Sequence, residues 1–235
     1  SDGWVDNAHP AQFLRDPFMR ETYLAMGQPG SRSNFVHLYL NGLYWGIYNP
    51  SERPDGNYAA SHFGGSESDY DALKHEGLRG PGQAATDSYP DIDGPPEPRN
   101  TPFSISGRHT NDSAVYAEFK EYVDVSSLAD FGLVNSFLAN MDWPGKNWYA
   151  FGRRDGSDGG FKFSPWDSEY SLHNLNGNRV DISGSNTPAR FYSRVRSNPE
   201  FLLLFADRVH KHAFNGGPLT VESMVKRYTE MANHI

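Results

Sequence analysis

DWPGKNWYAFGRRDGSDGGFKFSPWDSEY, residues 142–170, carries an acid at Asp142, an amide at Asn147 and a second acid at Asp167. Two strand-like runs, WYAFGRR (148–154) and FKFSPW (161–166), flank the turn residues DGSDGG (155–160). Antiparallel pairing sets the start of one strand beside the end of the other, so Asn147 and Asp167 are expected at one end of a hairpin. Glu169 lies two residues further on and would share a face with Asp167 if the strand continued.

Upstream, SSLADFGLVNSFLANM (126–141) places Leu128, Phe131, Val134, Leu138 and Met141 at intervals of three or four. This is helical periodicity with one buried face, and Asp124 is its expected N-cap. The helix delivers Asp142. A shorter helical pattern, DSAVYAEFKEYV, begins near Asp112.

Nearer the start, FVHLYL and LYWGIY flank Asn41-Gly42 between Phe35 and Tyr48. Asn-Gly between apolar runs is a strong hairpin signal, because both central residues of a type I′ turn need positive φ. Residues 50–65 fit a short helix ending at Gly64-Gly65, and YDALKHEG (70–77) alternates weakly as a strand carrying Lys74. From Gly77 to Asp112 the chain is crowded with Gly, Pro, Asp and Ser and shows no period, as in a long loop. Downstream, Asn198-Pro199 opens a helix that Gly216-Gly217-Pro218 closes, and Thr220 is the expected cap of a last one. Strands first and helices second give an α+β class with two unequal lobes.

The 235 residues, 37% hydrophobic and 14% aromatic, suffice for a real core. A net charge of −8 and a pI near 5.5 argue against a nucleic-acid or anionic-membrane binder. With no cysteine, disulfides and thiolate metal sites are excluded. No apolar run approaches the roughly 18 residues of a membrane span, and the start lacks the layout of a signal peptide. The chain opens on Ser1 rather than Met, so a piece of a longer protein is expected.

Phosphoryl transfer needs a carboxylate to take the proton of the attacking hydroxyl and oxygen ligands to hold a divalent cation against nucleotide phosphates. Asp142 suits the first task; Asn147 and Asp167, with Glu169 as a second contact, suit the other. Lys74 is the candidate for neutralising phosphate, with Glu52, Glu76 and Glu118 as candidate partners. A lone Asp-x4-Asn arises often by chance, and a lone lysine is usually a solvated one. The ordered set of helix, Asp-x4-Asn, hairpin and Asp is what gives the pattern weight.

Other constellations are weaker. DGSDGG lacks the ligand spacing of an EF-hand loop and reads as a turn. The nine histidines show no metal-ligand spacing, and His210 and His212 are expected on a helix surface. Tyr44-Trp45, Trp148-Tyr149 and Trp166 could line a sugar-binding face, yet core packing is the better default within strand patterns.

These residues also carry a resemblance. LYLNGLYWGIYNPSERPD with its following FGG, DALKHEG, DVSSLADFGLVNSFLANMDWPGKNWYAF, FKFSPWDSEYSL and RFYSRVRSNPEFLLLFADRVHKHAFNGGPLT are similar to the CotH kinase family, the spore coat protein H group of atypical protein kinases. The resemblance implies an atypical protein-kinase-like fold with its active site between a small β-rich N-lobe (1–123) and a mainly helical C-lobe (124–235). The N-lobe would hold hairpin 35–48, a lysine strand near 70–76 and an insertion at 78–112. The C-lobe would hold a catalytic loop at 140–147, a metal hairpin at 148–170 and the last helices. It further implies ATP with Mg²⁺ or Mn²⁺ as cofactors and transfer to Ser or Thr of protein substrates. Asp142 would be the catalytic acid, Asn147 and Asp167 the metal ligands, and Lys74 the phosphate-binding lysine. Other domains of the same polypeptide and an extracellular or cell-surface setting follow from the family alone. Asn140-Met141 and Ser168-Glu169 stand where an ordinary kinase has His-Arg and Phe-Gly. A catalytically silent scaffold or adhesion module is the rival reading.

Overall fold

The computed structural model describes residues 12–74, 91–93, 105–174, 176–181, 184 and 187–235. Glu76 and most of the expected insertion lie outside them.

Helix α1 (Arg15–Ala25) is followed by strands β1 (Val36–Leu40) and β2 (Leu43–Tyr48), helix α2 (Gly56–Phe63) and β3 (Tyr70–Lys74). Then come β4 (Asp91–Asp93), α3 (Ser113–Tyr122), α4 (Val125–Phe137), β5 (Trp148–Arg153) and β6 (Lys162–Pro165). Three helices close the chain: α5 (Pro188–Val195), α6 (Pro199–Ala213) and α7 (Val221–His234).

The local signals act as their chemistry dictates. Asn41 and Gly42 take φ of 51° and 81°, and β1 pairs antiparallel with β2 around them. Asp112, Asp124 and Asn198 each accept backbone N–H groups in the first turns of α3, α4 and α6. Thr220 precedes α7 without capping it, its hydroxyl bonding Gly217 O and Ser223 instead.

Strands β3 to β6 form an antiparallel sheet in the order β4-β3-β5-β6. Lys74 lies opposite Tyr149, and Trp148 opposite Pro165. The expected boundary at 123/124 therefore falls between strands of one sheet. Residues 91–93, inside the stretch read as a periodless loop, add an edge strand to β3. That pairing is non-local and leaves no period in the sequence.

Helix α4 is the hub. Residues 127–135 are buried without interruption, not along one stripe, because α1, β6, α5 and α6 all pack around it. Ser127 Oγ accepts the N–H of Phe163 at 2.9 Å and approaches the Tyr23 hydroxyl at 3.4 Å, tying α4 to β6 and α1. Tyr228 of α7 meets Phe18 of α1 edge-on, with ring centres 5.4 Å apart. A smaller cluster of Tyr58, Ala59, Tyr70, Ala72 and Phe151 packs α2 on the sheet.

Candidate active site

The end of the sheet where β3 stops, β5 starts and β6 stops is one place. Lys74 closes β3, Asn147 precedes β5, and Asp167 follows β6 by two residues. The loop between α4 and β5 supplies Asp142.

That loop is held from below. Trp143 is 2% exposed, with its ring in edge-on contact with Phe131 at 5.4 Å and with Tyr192 at 6.4 Å. Buried Asn140 donates to Asn135 Oδ1 at 2.9 Å and accepts the N–H of Asp142 at 3.1 Å. Across the gap, Met141 N–H donates to Tyr170 O at 3.2 Å and Leu172 N–H to Leu138 O at 2.7 Å. The Asp142 loop and the segment after β6 are thus laced together through the backbone.

Asn147 joins the two acids. Its Nδ2 donates to Asp142 Oδ2 at 2.7 Å and to the carbonyl of Asp167 at 2.9 Å. Its φ of 63° and the 50° of Asp167 lie in the left-handed region, where non-glycine residues cost energy and persist only when their surroundings hold them. Lys146 Nζ stands 3.3 Å from Asp142 Oδ1.

The site is electrostatically crowded with acid. Partial withdrawal from water raises the pKa of Asp167, and the charges of Asp16 and Asp142 add to the rise. Glu169 is raised by the same loss of hydration and then by Asp167, to which it hydrogen-bonds, and by Asp16 and Asp142. A cation placed among these carboxylates would favour their ionised forms, opposing both the lost hydration and the neighbouring acids.

The strand does not continue to Glu169. β6 ends at Pro165, and the left-handed turn at Asp167 breaks the alternation. Glu169 reaches Asp167 through that turn instead of along a strand face. Glu118 pairs with Arg108 at 2.6 Å, and Glu52 contacts His62 at 3.0 Å and the Arg32 N–H at 2.9 Å.

Two site residues were not anticipated. Asp16, from α1, accepts the N–H of Ser168 at 2.9 Å. Nothing local links it to a segment 152 positions away. Lys146 stands inside the DWPGKN stretch itself, where its i,i+4 spacing from Asp142 was a usable signal.

His210 is exposed as expected, whereas the expectations for His212 and for Tyr44-Trp45 need correction. His212 is fully buried, its Nε2 3.1 Å from Asp130 Oδ1, because α6 turns that side toward α4. Tyr44 and Trp45 are 53% and 58% exposed, since the β1-β2 hairpin forms its own two-stranded sheet. On that hairpin the Tyr39 and Tyr44 rings are tilted by 49° to each other. Trp148 and Tyr149 are buried as expected.

The profile of the CotH kinase protein family matches residues 4–234. The chain belongs to the CotH kinase family. Its mixed α+β architecture is accordingly that of a kinase-like protein. Among solved structures, this CotH-family chain aligns with one from the HipA–HipB toxin–antitoxin system of Shewanella oneidensis MR-1 with its operator DNA. Identity is 16% and the TM-score 0.31, over 94% of this chain and 54% of that one, so the CotH chain spans about half of the matched length. No curated protein matches. Among the described residues no helix is long and apolar enough to cross a membrane.

The donor chemistry at the end of the sheet fits a hard divalent cation. Among the described residues no three His, Asp or Glu side chains form a metal cage. Mg²⁺ needs none, since it keeps waters and takes one or two carboxylates plus phosphate oxygens. Asp167 and the side-chain oxygen of Asn147 are the groups that could contribute to such a partial set, with Glu169 adjacent.

Proposed function

We propose that this CotH-family chain is an ATP- and divalent-metal-dependent kinase that transfers phosphoryl groups to Ser or Thr hydroxyls of protein substrates. The observation that supports it most is the Asn147 amide, bridging Asp142 Oδ2 at 2.7 Å and the Asp167 carbonyl at 2.9 Å. One side chain thereby sets the distance between the acid that would serve the nucleophile and the acid that would hold metal.

In this reading Asp142 orients the acceptor hydroxyl and takes its proton as the acceptor oxygen bonds to the γ-phosphorus and the bond to the bridging oxygen of the departing ADP breaks. Asn147 keeps one Asp142 oxygen in place and leaves its own Oδ1 for metal. Asp167 and Asn147 would hold Mg²⁺ or Mn²⁺, with Glu169 as a further contact. The metal-nucleotide complex supplies the phosphoryl group and offsets charge on its oxygens. Lys74, at the end of β3, and Lys146, beside Asp142, add positive charge where phosphate would lie. Trp143 and the laced backbone fix the loop, which is the preorganisation such chemistry relies on.

Thermal unfolding with ATP and Mn²⁺ or Mg²⁺ tests the binding half. A ligand at 100 times its Kd stabilises by about 2.7 kcal/mol. A shift that needs both nucleotide and metal supports the kinase reading. No shift with either metal favours a silent scaffold.

A further inference from the structure

We propose that Asp16 is a positioning residue for the metal-binding segment, holding Asp167, Ser168 and Glu169 in place from helix α1 through the Ser168 N–H. The inference rests on the phosphoryl-transfer reading above and names a residue that reading does not require.

Asp16 sits in the first turn of α1, and both of its oxygens are engaged. Oδ1 accepts the Ser168 N–H at 2.9 Å, and Oδ2 pairs with Arg20 NH2 at 2.8 Å. Arg20 is 1% exposed and donates onward to Asn49 Oδ1 at 2.9 Å, at the foot of the β1-β2 hairpin. Asn49 in turn donates to Asn34 O at 3.1 Å, on the hairpin's other leg. A line of polar contacts therefore runs from the hairpin, through a buried guanidinium, to the peptide between Asp167 and Ser168.

That peptide is where a clamp is needed. Asp167 adopts φ 50°, and Ser168 is fully buried. A carboxylate accepting a backbone N–H makes a charge-assisted bond, stronger than a neutral one. Were Asp16 only a first-turn acid of α1 paired with Arg20, it would owe nothing to Ser168. The contact across 152 residues is what a helix-stabilising role leaves unexplained. Residues that orient metal ligands without touching metal typically change metal affinity 10- to 100-fold when removed.

The test measures Mn²⁺ affinity by EPR titration at saturating ATP, and metal-free ATP affinity by calorimetry, in wild type, Asp16→Ala and Asp16→Glu. The glutamate keeps the charge but moves the acceptor by one methylene. The expected result is a roughly 10- to 100-fold loss of Mn²⁺ affinity in Asp16→Ala, a smaller loss in Asp16→Glu, and metal-free ATP binding within about twofold of wild type. Wild-type Mn²⁺ affinity in both variants overturns the proposal, as does equal loss of metal-bound and metal-free nucleotide. Should Asp16→Ala not unfold cooperatively, Asp16→Glu alone decides: selective loss supports, wild-type affinity overturns. A wild type that binds no Mn²⁺ with ATP is a different result, which overturns the kinase reading and this inference with it.

Discussion

The side-chain amide of Asn147 donates to Asp142 Oδ2 at 2.7 Å, from a backbone held at φ 63°. Two properties are combined in one residue: an amide at a fixed place and tolerance of left-handed backbone. Asn is among the few non-glycine residues that adopt that conformation readily.

Those properties can be separated. Asn147→Gly keeps the backbone relaxed and removes the amide, so its melting temperature should stay near wild type while transfer falls by about 100-fold or more. Asn147→Ala removes the amide and adds strain, costing roughly 1–2 kcal/mol in addition. Equal activity in wild type and Asn147→Gly would show that the bridge does nothing for transfer.

The acid cluster gives a pH signature in the metal-free protein. Asp167 and Glu169 have raised folded-state pKa values, first from lost hydration and then from neighbouring acids. A raised carboxyl favours the folded state fully below its unfolded value of about 4, and that contribution is lost as pH rises through the folded value. Asp167→Asn tolerates the same backbone and cannot ionise. Its gain in melting temperature over wild type should therefore be largest near neutral pH and should vanish toward pH 4. Saturating Mn²⁺ with ATP should reverse the order, since only wild type gains from metal. Chemical denaturation across pH reads both effects.

The buried network at Asp130 titrates the other way. Burial alone would raise its pKa, but Arg208, bonded through Nε at 2.8 Å and through NH2, and His212 prevail and lower it. Gln28 adds a bond at 2.7 Å from the turn after α1. A lowered carboxyl contributes stability above its unfolded value, lost as pH falls through the folded one. Asp130→Ala leaves a guanidinium without its partner and should cost about 3–5 kcal/mol at neutral pH. Its deficit should shrink in acid, which urea denaturation at both pH values would show.

Trp143 is predicted to couple packing to phosphoryl transfer. Truncation to alanine removes a buried aromatic lodged against Phe131 and Tyr192, and should cost roughly 3–5 kcal/mol. Trp143→Phe should retain most of that stability, and any transfer it loses would report displacement of the Asp142 loop. Calorimetric melting beside a transfer assay separates the two.

Much of this was legible where the cause is local. Asn41-Gly42 sets the hairpin turn, and Asp112, Asp124 and Asn198 start helices because their side chains reach N–H groups two or three residues away. The convergence of Asn147 with Asp167 was legible because a short hairpin links them. What stayed hidden is non-local. The pairing of β3 with β5 joins segments some 80 residues apart, and Asp16 reaches Ser168 across 152. His212 reads as surface on its own helix and becomes core only through Asp130 on another. Tyr44 and Trp45 alternate like half-buried strand residues, yet in a separate two-stranded sheet both stay more than half exposed among the described residues.

The most direct measurement is phosphoryl transfer from labelled ATP to a Ser/Thr-rich protein, with Mn²⁺ or Mg²⁺, by wild type and Asp142→Asn. The account predicts metal-dependent transfer by wild type, and a loss of about 100- to 10,000-fold in Asp142→Asn. That variant should still show the thermal shift with metal and ATP. Transfer by Asp142→Asn at the wild-type rate, or none by a wild type that binds metal and nucleotide, would contradict it.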